Sequence, residues 1–481
     1  ASHQSEGNTL THWTPNLLSS GRPRYVELAD AIEADIAAGV LRPGDRLPPQ
    51  RGVAKLLGVD FSTASRGYAE AVRRGHIESF VGRGTFVCAG PGPESGPEAG
   101  SETGRSAERL RDTGIARPME LGAMMNMPPE PQDNLLLERM QNGMAAVAQD
   151  LVALLRYQSV TGGPEDIALA ADWFQQNGLT PPEDRLAITP GAHASLYAIF
   201  SMLCDPGQVV LCEPVTYPGL RTIAKRLGLR LVGVEEDAEG LLPEALEASI
   251  KTNWPTALYL NPTLQNPRTG TMSARRRAQI AEVLRSYDLP LVEDDAYCFV
   301  AKTPPAPIST LLPDLGWHIA GISKCLGAGL RLAYTVLPRS ASKGEFAQVL
   351  RSQHVMASPL SLAVLARWIK DGTAEALQAE LRKNAMQRQA LATERLEGCR
   401  FSGAPEAFNI WIELPEGTSR AEVMGRMAHR LIGILPSDAF TVAGPPQEAL
   451  RVCLGGPIGL ERLGEDLNAL RDAVLRKDWL G

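Results

Sequence analysis

Apolar side chains recur at helical spacing at Tyr25, Leu28, Ile32 and Ile36 and stop before Gly39, which predicts an amphipathic helix over 24–38 closed by a glycine cap. Two further helical stretches, 50–57 and 62–74, end on Gly58 and Gly75, the second with Ser62 and Thr63 as capping hydroxyls. The run HIESFVGRGTFV then forms two β-prone pieces around Gly82-Arg83-Gly84, a hairpin signal. Three helices, a short turn at Gly58-Val59-Asp60 and a closing hairpin read as a winged helix-turn-helix over residues 22–88, preceded by a tail at 1–21.

Residues 89–104 hold five Gly and three Pro in sixteen positions, no large apolar side chain and only acidic charges. Such a stretch cannot pack, and 89–118 is expected to be a flexible linker with a coil span of roughly 30 Å. From residue 119 helical patterns alternate with short apolar runs, QVVLCE, RLVGVE, TALYLN, LPLVEDD, WHIAGIS and LAYTVL. Alternation of this kind predicts an α/β domain with a mostly parallel sheet over 119–340. Near Ser340 the pattern gives way to longer helices and then to FNIWIELP and RVCLGG, so a smaller α+β subdomain is expected over 341–481.

Composition narrows the picture in two ways. The 48 Lys and Arg against 55 Asp and Glu give a net charge of −7, which excludes a protein that coats nucleic acid with its whole surface. Within 22–88, however, there are eight basic residues to four acidic ones from Arg42 onward, so a DNA-binding face would be local to the turn, third helix and wing. Seven scattered cysteines, with no Cys-x-x-Cys pair and no Cys/His cluster at zinc spacing, predict neither a disulfide framework nor a metal site. The most apolar run, Leu196 to Cys204, is about half a membrane span, and a cytoplasmic location is expected.

Polar residues placed just after strands carry the candidate chemistry, because loops at the carboxyl ends of parallel strands build ligand sites. Lys324 follows the strand WHIAGIS; desolvated in a cleft, its amine could form a Schiff base. Asp294 and Tyr297 stand at the end of LPLVEDD, where an Asp could keep a pyridine nitrogen protonated and a Tyr could donate to a phenolic oxygen. Successive residues of a strand point to opposite faces, so Glu293, Asp294 and Asp295 cannot all share one site. Pro190-Gly191-Ala192-His193 opens a helix whose backbone N–H groups could bind a phosphate.

Two resemblances follow from these residues. LRPGDRLPPQRGVAKLLGV with YAEAVRRGHIESFVGRGTFV resembles the DNA-binding domain of GntR-type bacterial repressors, and the set above resembles fold-type I pyridoxal-phosphate proteins, the aspartate-aminotransferase-like fold, from about 119 to 481. Their combination is similar to the MocR subfamily of GntR-type regulators. The resemblance implies pyridoxal 5'-phosphate as cofactor, with Lys324 carrying the internal aldimine, Asp294 on the ring nitrogen, and Asn266 and Tyr297 on the ring oxygen. It places Tyr217 on the ring face and Arg331, with Ala192 and His193, on the phosphate. Tyr157 matches the tyrosine that reaches the partner's phosphate in a head-to-tail homodimer, and Arg451 the arginine that clamps a substrate carboxylate. Gly321 stands where this superfamily often has a hydroxyl phosphate contact, which implies either weaker phosphate binding or a contact from Ser323.

On the DNA side Ser62, Thr63 and Arg66 are the expected base readers, and Arg46, Arg51 and Arg83 the phosphate or minor-groove contacts. Phe61 departs from the basic or polar residue common before that helix. The implied function is a regulator that binds a double-stranded operator and senses a small amine or amino acid through an external aldimine at Lys324. The alternative is a working aminotransferase with an appended DNA-binding domain.

Overall fold

The computed structural model describes residues 13–17, 23–42, 44–80, 84–88, 125–428 and 430–475. The expected linker at 89–118, most of the tail and the wing residue Arg83 lie outside them. The chain divides into two compact units between residues 109 and 110.

In the first unit, α1 (Arg24–Ala37), α2 (Gln50–Leu57) and α3 (Phe61–Arg73) enclose Leu28, Ile32, Val53, Ala64 and Tyr68. Strands β1 (Arg46–Leu47), β2 (Ile77–Phe80) and β3 (Gly84–Val87) form an antiparallel sheet in the order β1-β3-β2. β1 was not foreseen, since two residues carry no alternation. The helix α3 starts one residue earlier than expected, at Phe61, with Asp60 at the cap position in an extended conformation. Ser62 and Thr63 therefore lie in the first turn and are not the cap. Arg74, just past α3, ties the unit together through Asp30 at 2.6 Å and Glu70 at 3.0 Å.

The second unit is built on β4 (Leu186–Thr189), β5 (Val209–Cys212), β6 (Arg230–Gly233), β7 (Ala257–Leu260), β8 (Leu291–Asp295), β9 (Gly316–Gly321) and β10 (Ala333–Val336). Their order is β4-β10-β9-β8-β7-β5-β6, with β10 antiparallel to both neighbours and the other pairs parallel. Side chains from both faces join apolar clusters, one with Leu196, Ile199 and Phe200 and another with Ile167, Trp173 and Phe174. That double burial is why strands such as β5 and β7 carry apolar residues at consecutive positions and do not alternate.

A second sheet, β11 (Arg400–Ser402), β12 (Asn409–Glu413), β13 (Gly433–Pro436) and β14 (Ala449–Cys453), is antiparallel in the order β11-β12-β14-β13. It packs with Leu463, Leu467 and Leu470 of the helix Leu460–Leu475. The boundary expected at 341 is displaced. Phe346 and Leu350 of the helix Lys343–His354, and Val364, Leu365 and Trp368 of the helix Pro359–Lys370, belong to the large-sheet clusters. The long helix Thr373–Arg395 spans the junction, giving Leu377 and Leu381 to the large body and Ala392 to the small one. The change of pattern near 340 marked helices that cover the first sheet, not the start of a second core.

Candidate cofactor and effector site

The site assembles at the carboxyl ends of β7, β8 and β9. Asp294 is buried at the end of β8; its Oδ2 accepts a hydrogen bond from the Tyr259 hydroxyl at 2.8 Å, while Oδ1 is buried with no hydrogen-bond partner among the described residues. Burial pushes the Asp294 carboxyl up to about 6. A buried carboxylate oxygen without a donor fits a protonated ring nitrogen, which would satisfy it and hold it ionised.

Lys324 lies in the loop after β9. Burial, with the positive charge of Arg451 next in weight, lowers its amine to about 8, although part of the side chain remains accessible. Its Nζ donates to the Asn126 carbonyl. Asn126 is a hub, for its Nδ2 also donates to the Tyr297 hydroxyl at 2.7 Å and to Asn409 Oδ1 at 2.9 Å. Asn409 in turn donates to the Pro267 carbonyl at 2.7 Å, beside Asn266, whose own Oδ1 is buried without a partner among the described residues. The Asn266 backbone is fixed by Asn261, which accepts its N–H at 2.7 Å and donates to the Asp294 carbonyl at 2.6 Å.

The end of the site where a phosphate is expected is equally built. Gly191 has φ 104°, a left-handed-side conformation open to glycine, and a Cβ there would lie 3.0 Å from Arg331 Nη2. The guanidinium thus stands at the start of the helix Ala192–Leu203, where Ala192 and His193 present their N–H groups. Burial and Arg331 depress the His193 imidazole, keeping it neutral. Tyr217 is half-buried, and burial first, then the charge of Asp294, raises its phenol while Arg331 opposes the shift. Gly321 has a local reason to lack a side chain, because a Cβ would come 3.3 Å from the Ala296 Cα. Ser323 is half-buried beside Lys324.

Arg451 on β14 is buried, with its guanidinium carbon 5.2 Å from the Phe440 ring centroid. Tyr157 is 85% exposed and lies apart from these groups within one chain. Glu293 and Asp295 lie on the other face of the sheet, as strand alternation requires. Glu293 faces Arg277 at 3.5 Å and Asp295 faces His318 at 3.1 Å, a buried set of two acids and two bases behind the site. Tyr259, Asn261, Asn126 and Asn409 were missed by sequence reasoning. Asn261 had a readable signal, a polar residue ending an apolar strand, whereas Asn126 lies about two hundred residues from Lys324 with none.

In the first unit Arg46 and Arg51 are exposed, Ser62 is exposed and Thr63 is half-buried. Arg66 is exposed as well, with its guanidinium carbon 4.1 Å from the Tyr25 ring centroid of α1.

The Lys324 value carries a pH prediction. A Schiff base forms from the neutral amine, so the rate at which cofactor-free protein takes up pyridoxal phosphate is expected to rise with pH through about 8 and then level. A rate that climbs without a break to pH 10 would show that the cleft does not depress this amine.

The open sheet with a lysine, an aspartate and an arginine at its strand ends defines a fold-type I pyridoxal-phosphate body, and the buried unpaired atoms fit that cofactor. Residues 126–463 match the family "Aminotransferase class I and II", and residues 24–87 match "Bacterial regulatory proteins, gntR family". The chain belongs to the MocR subfamily of GntR-type transcriptional regulators, which joins these two domains, and its cofactor is pyridoxal 5'-phosphate. It is 30% identical to "Uncharacterized HTH-type transcriptional regulator YdeF" of Bacillus subtilis, over 95% of this chain and 96% of that one. It is 24% identical to "Probable rhizopine catabolism regulatory protein MocR" of Rhizobium meliloti, over 95% of each. The α-aminoadipate aminotransferase LysN of Thermus thermophilus shares the fold, with a TM-score of 0.65 at 22% identity over 77% of this chain and 98% of that one. Among the described residues no helix is long and apolar enough to cross a membrane.

Proposed function

We propose that this chain is a cytoplasmic DNA-binding regulator that acts as a head-to-tail homodimer and senses a small amine or amino acid at the Lys324 site. The observation that supports this reading is the convergence of Lys324, Asp294, Asn266, Tyr297 and Arg331 in a chain that also carries a winged helix-turn-helix. Pyridoxal phosphate bound there would supply an aldehyde that captures primary amines. Around it Asp294 would hold the ring-nitrogen proton, Asn266 and Tyr297 would orient the ring oxygen, and Arg331 with the N–H groups of Ala192 and His193 would bind the phosphate. Ser323 would add a hydroxyl at that end. Lys324 can hold or release a proton at Nζ near neutral pH.

Arg451 comes from the smaller body, Lys324 from the larger, and one helix is packed on both. An acid held by Arg451 would draw on that junction, and a ligand that binds one arrangement better shifts the population toward it. Leu135, Met144, Val152 and Leu155, which precede Tyr157 in the chain, are exposed apolar side chains that a dimer interface would cover.

The test is the visible absorbance of the purified protein titrated with amino acids and ω-amino acids. A band that shifts with one compound and then holds is the expected result. A shift that decays, and recovers on adding a keto acid with turnover of about 1 per second or faster, would mark a working aminotransferase, a reading favoured by the completeness of the same residues. On the DNA side, Arg46→Ala is expected to weaken operator binding evenly across sequences and to reduce the salt-dependence slope by about 1. A change in sequence preference would instead make Arg46 a base reader.

A further inference from the structure

Phe61 is the first residue of α3 and is 51% exposed, in a unit whose other aromatic residues described, Trp13 and Tyr68, are buried in the core or, like Tyr25, are half-buried. It contributes nothing to the apolar cluster that holds α1, α2 and α3 together. What covers one side of it is a charge, for the Arg51 guanidinium carbon lies 5.7 Å from its ring centroid. The helix therefore presents a rigid apolar edge at its start, flanked by a guanidinium and by the exposed Ser62 hydroxyl.

In a helix-turn-helix the second helix of the motif enters the major groove with its N-terminal residues against the base edges. The base-edge group there that an aromatic edge can bury is the thymine C5-methyl. Asp60, exposed immediately before Phe61, would repel a phosphate, which directs this point of the helix to the bases and leaves the backbone to the arginines. We propose that Phe61 reads a thymine in each operator half-site through its methyl group, with Arg51 positioned against the neighbouring phosphate or base by its stacking on the ring. The inference rests on the reading of the chain as a DNA-binding regulator and assigns the specificity to a residue outside the expected set of Ser62, Thr63 and Arg66.

The experiment begins by selecting a preferred duplex from a random library with the full-length protein loaded with pyridoxal phosphate. Each thymine of the selected site is then replaced by deoxyuridine, which removes only the methyl. The expected result is one position per half-site where the wild type loses about fourfold in affinity, the worth of one buried methyl, and where Phe61→Ala is insensitive. Repeated selection with Phe61→Ala is expected to lose the thymine at that position, and Phe61→Leu to retain it. Phe61 lies outside the apolar cluster of the unit, so either variant keeps that core, and circular dichroism of each checks it. A duplex that binds well but shows no such thymine overturns the assignment while leaving DNA binding intact. An unchanged selected sequence with an altered association state of the DNA-free Phe61→Ala protein would make the ring a contact between two copies, and overturn it as well. Failure of the wild type to prefer any duplex over random competitor would remove the DNA-binding reading itself.

Discussion

Lys324→Ala is expected to abolish both the visible band of the bound cofactor and every effector-induced change in DNA binding. Nothing else in the cleft can replace the amine. Lys324 is the primary amine of the site, and burial and Arg451 destabilise its ammonium, to about 8, so that it can give up its proton near neutral pH just past the end of β9. Its neighbour Asn126 presents only an acceptor carbonyl to it. Operator affinity without effector should remain measurable, because the substitution removes no residue of the winged helix-turn-helix. Titrations monitored by absorbance and by fluorescence anisotropy of labelled operator measure the two halves separately. An effector response that survives in Lys324→Ala would place sensing elsewhere in the protein.

Arg451→Gln is expected to cost a carboxylate-bearing effector on the order of a hundredfold in affinity, within the range found when one partner of a buried charge pair is truncated. The guanidinium is buried on β14 against Phe440, where water cannot substitute for it, and burial lowers its pKa from the usual arginine range. Arg451→Lys should restore little, since a point charge on a flexible stem lacks the planar fork that meets both carboxylate oxygens. Amines without an acid group supply the control, and their affinity should change far less. Isothermal titration of both ligand types decides the matter; equal losses for the two would assign Arg451 to holding the site's shape rather than to the acid.

How much of this site was legible depends on where its parts lie along the chain. Lys324, Asp294 and Arg331 each sit within a few residues of a short apolar run, and the end of a buried strand is a place where a polar side chain has few other uses. The same rule separated Asp294 from Glu293 and Asp295, and the structure puts the latter two on the opposite face with Arg277 and His318. Asn126 and Asn409 follow no such rule. Each is a lone amide whose partners, Tyr297 and Pro267, are remote in sequence. On the DNA-binding unit, helical spacing located three helices to within about one residue, a match favoured by glycines that close them. It could not show that the exposed Arg66 would lie over Tyr25 or the exposed Phe61 beside Arg51, since neither contact is carried by the apolar stripe.

The sequence by itself determined the classes of structure, because local periodicity, glycine caps and strand-end polar residues act over a few positions and need no distant partner. It thereby specified a winged helix-turn-helix and an α/β body, and put Lys324 and Asp294 at or just past the ends of buried strands. Tertiary structure alone decided which side chains share space. It assigned the helices 343–370 to the large body, joined Asn126 to Lys324 and Tyr297, and left Asp294 Oδ1 and Asn266 Oδ1 buried without partners among the described residues. The physical reason is that hydrogen-bond satisfaction and burial depend on groups brought together by packing of elements far apart in the chain.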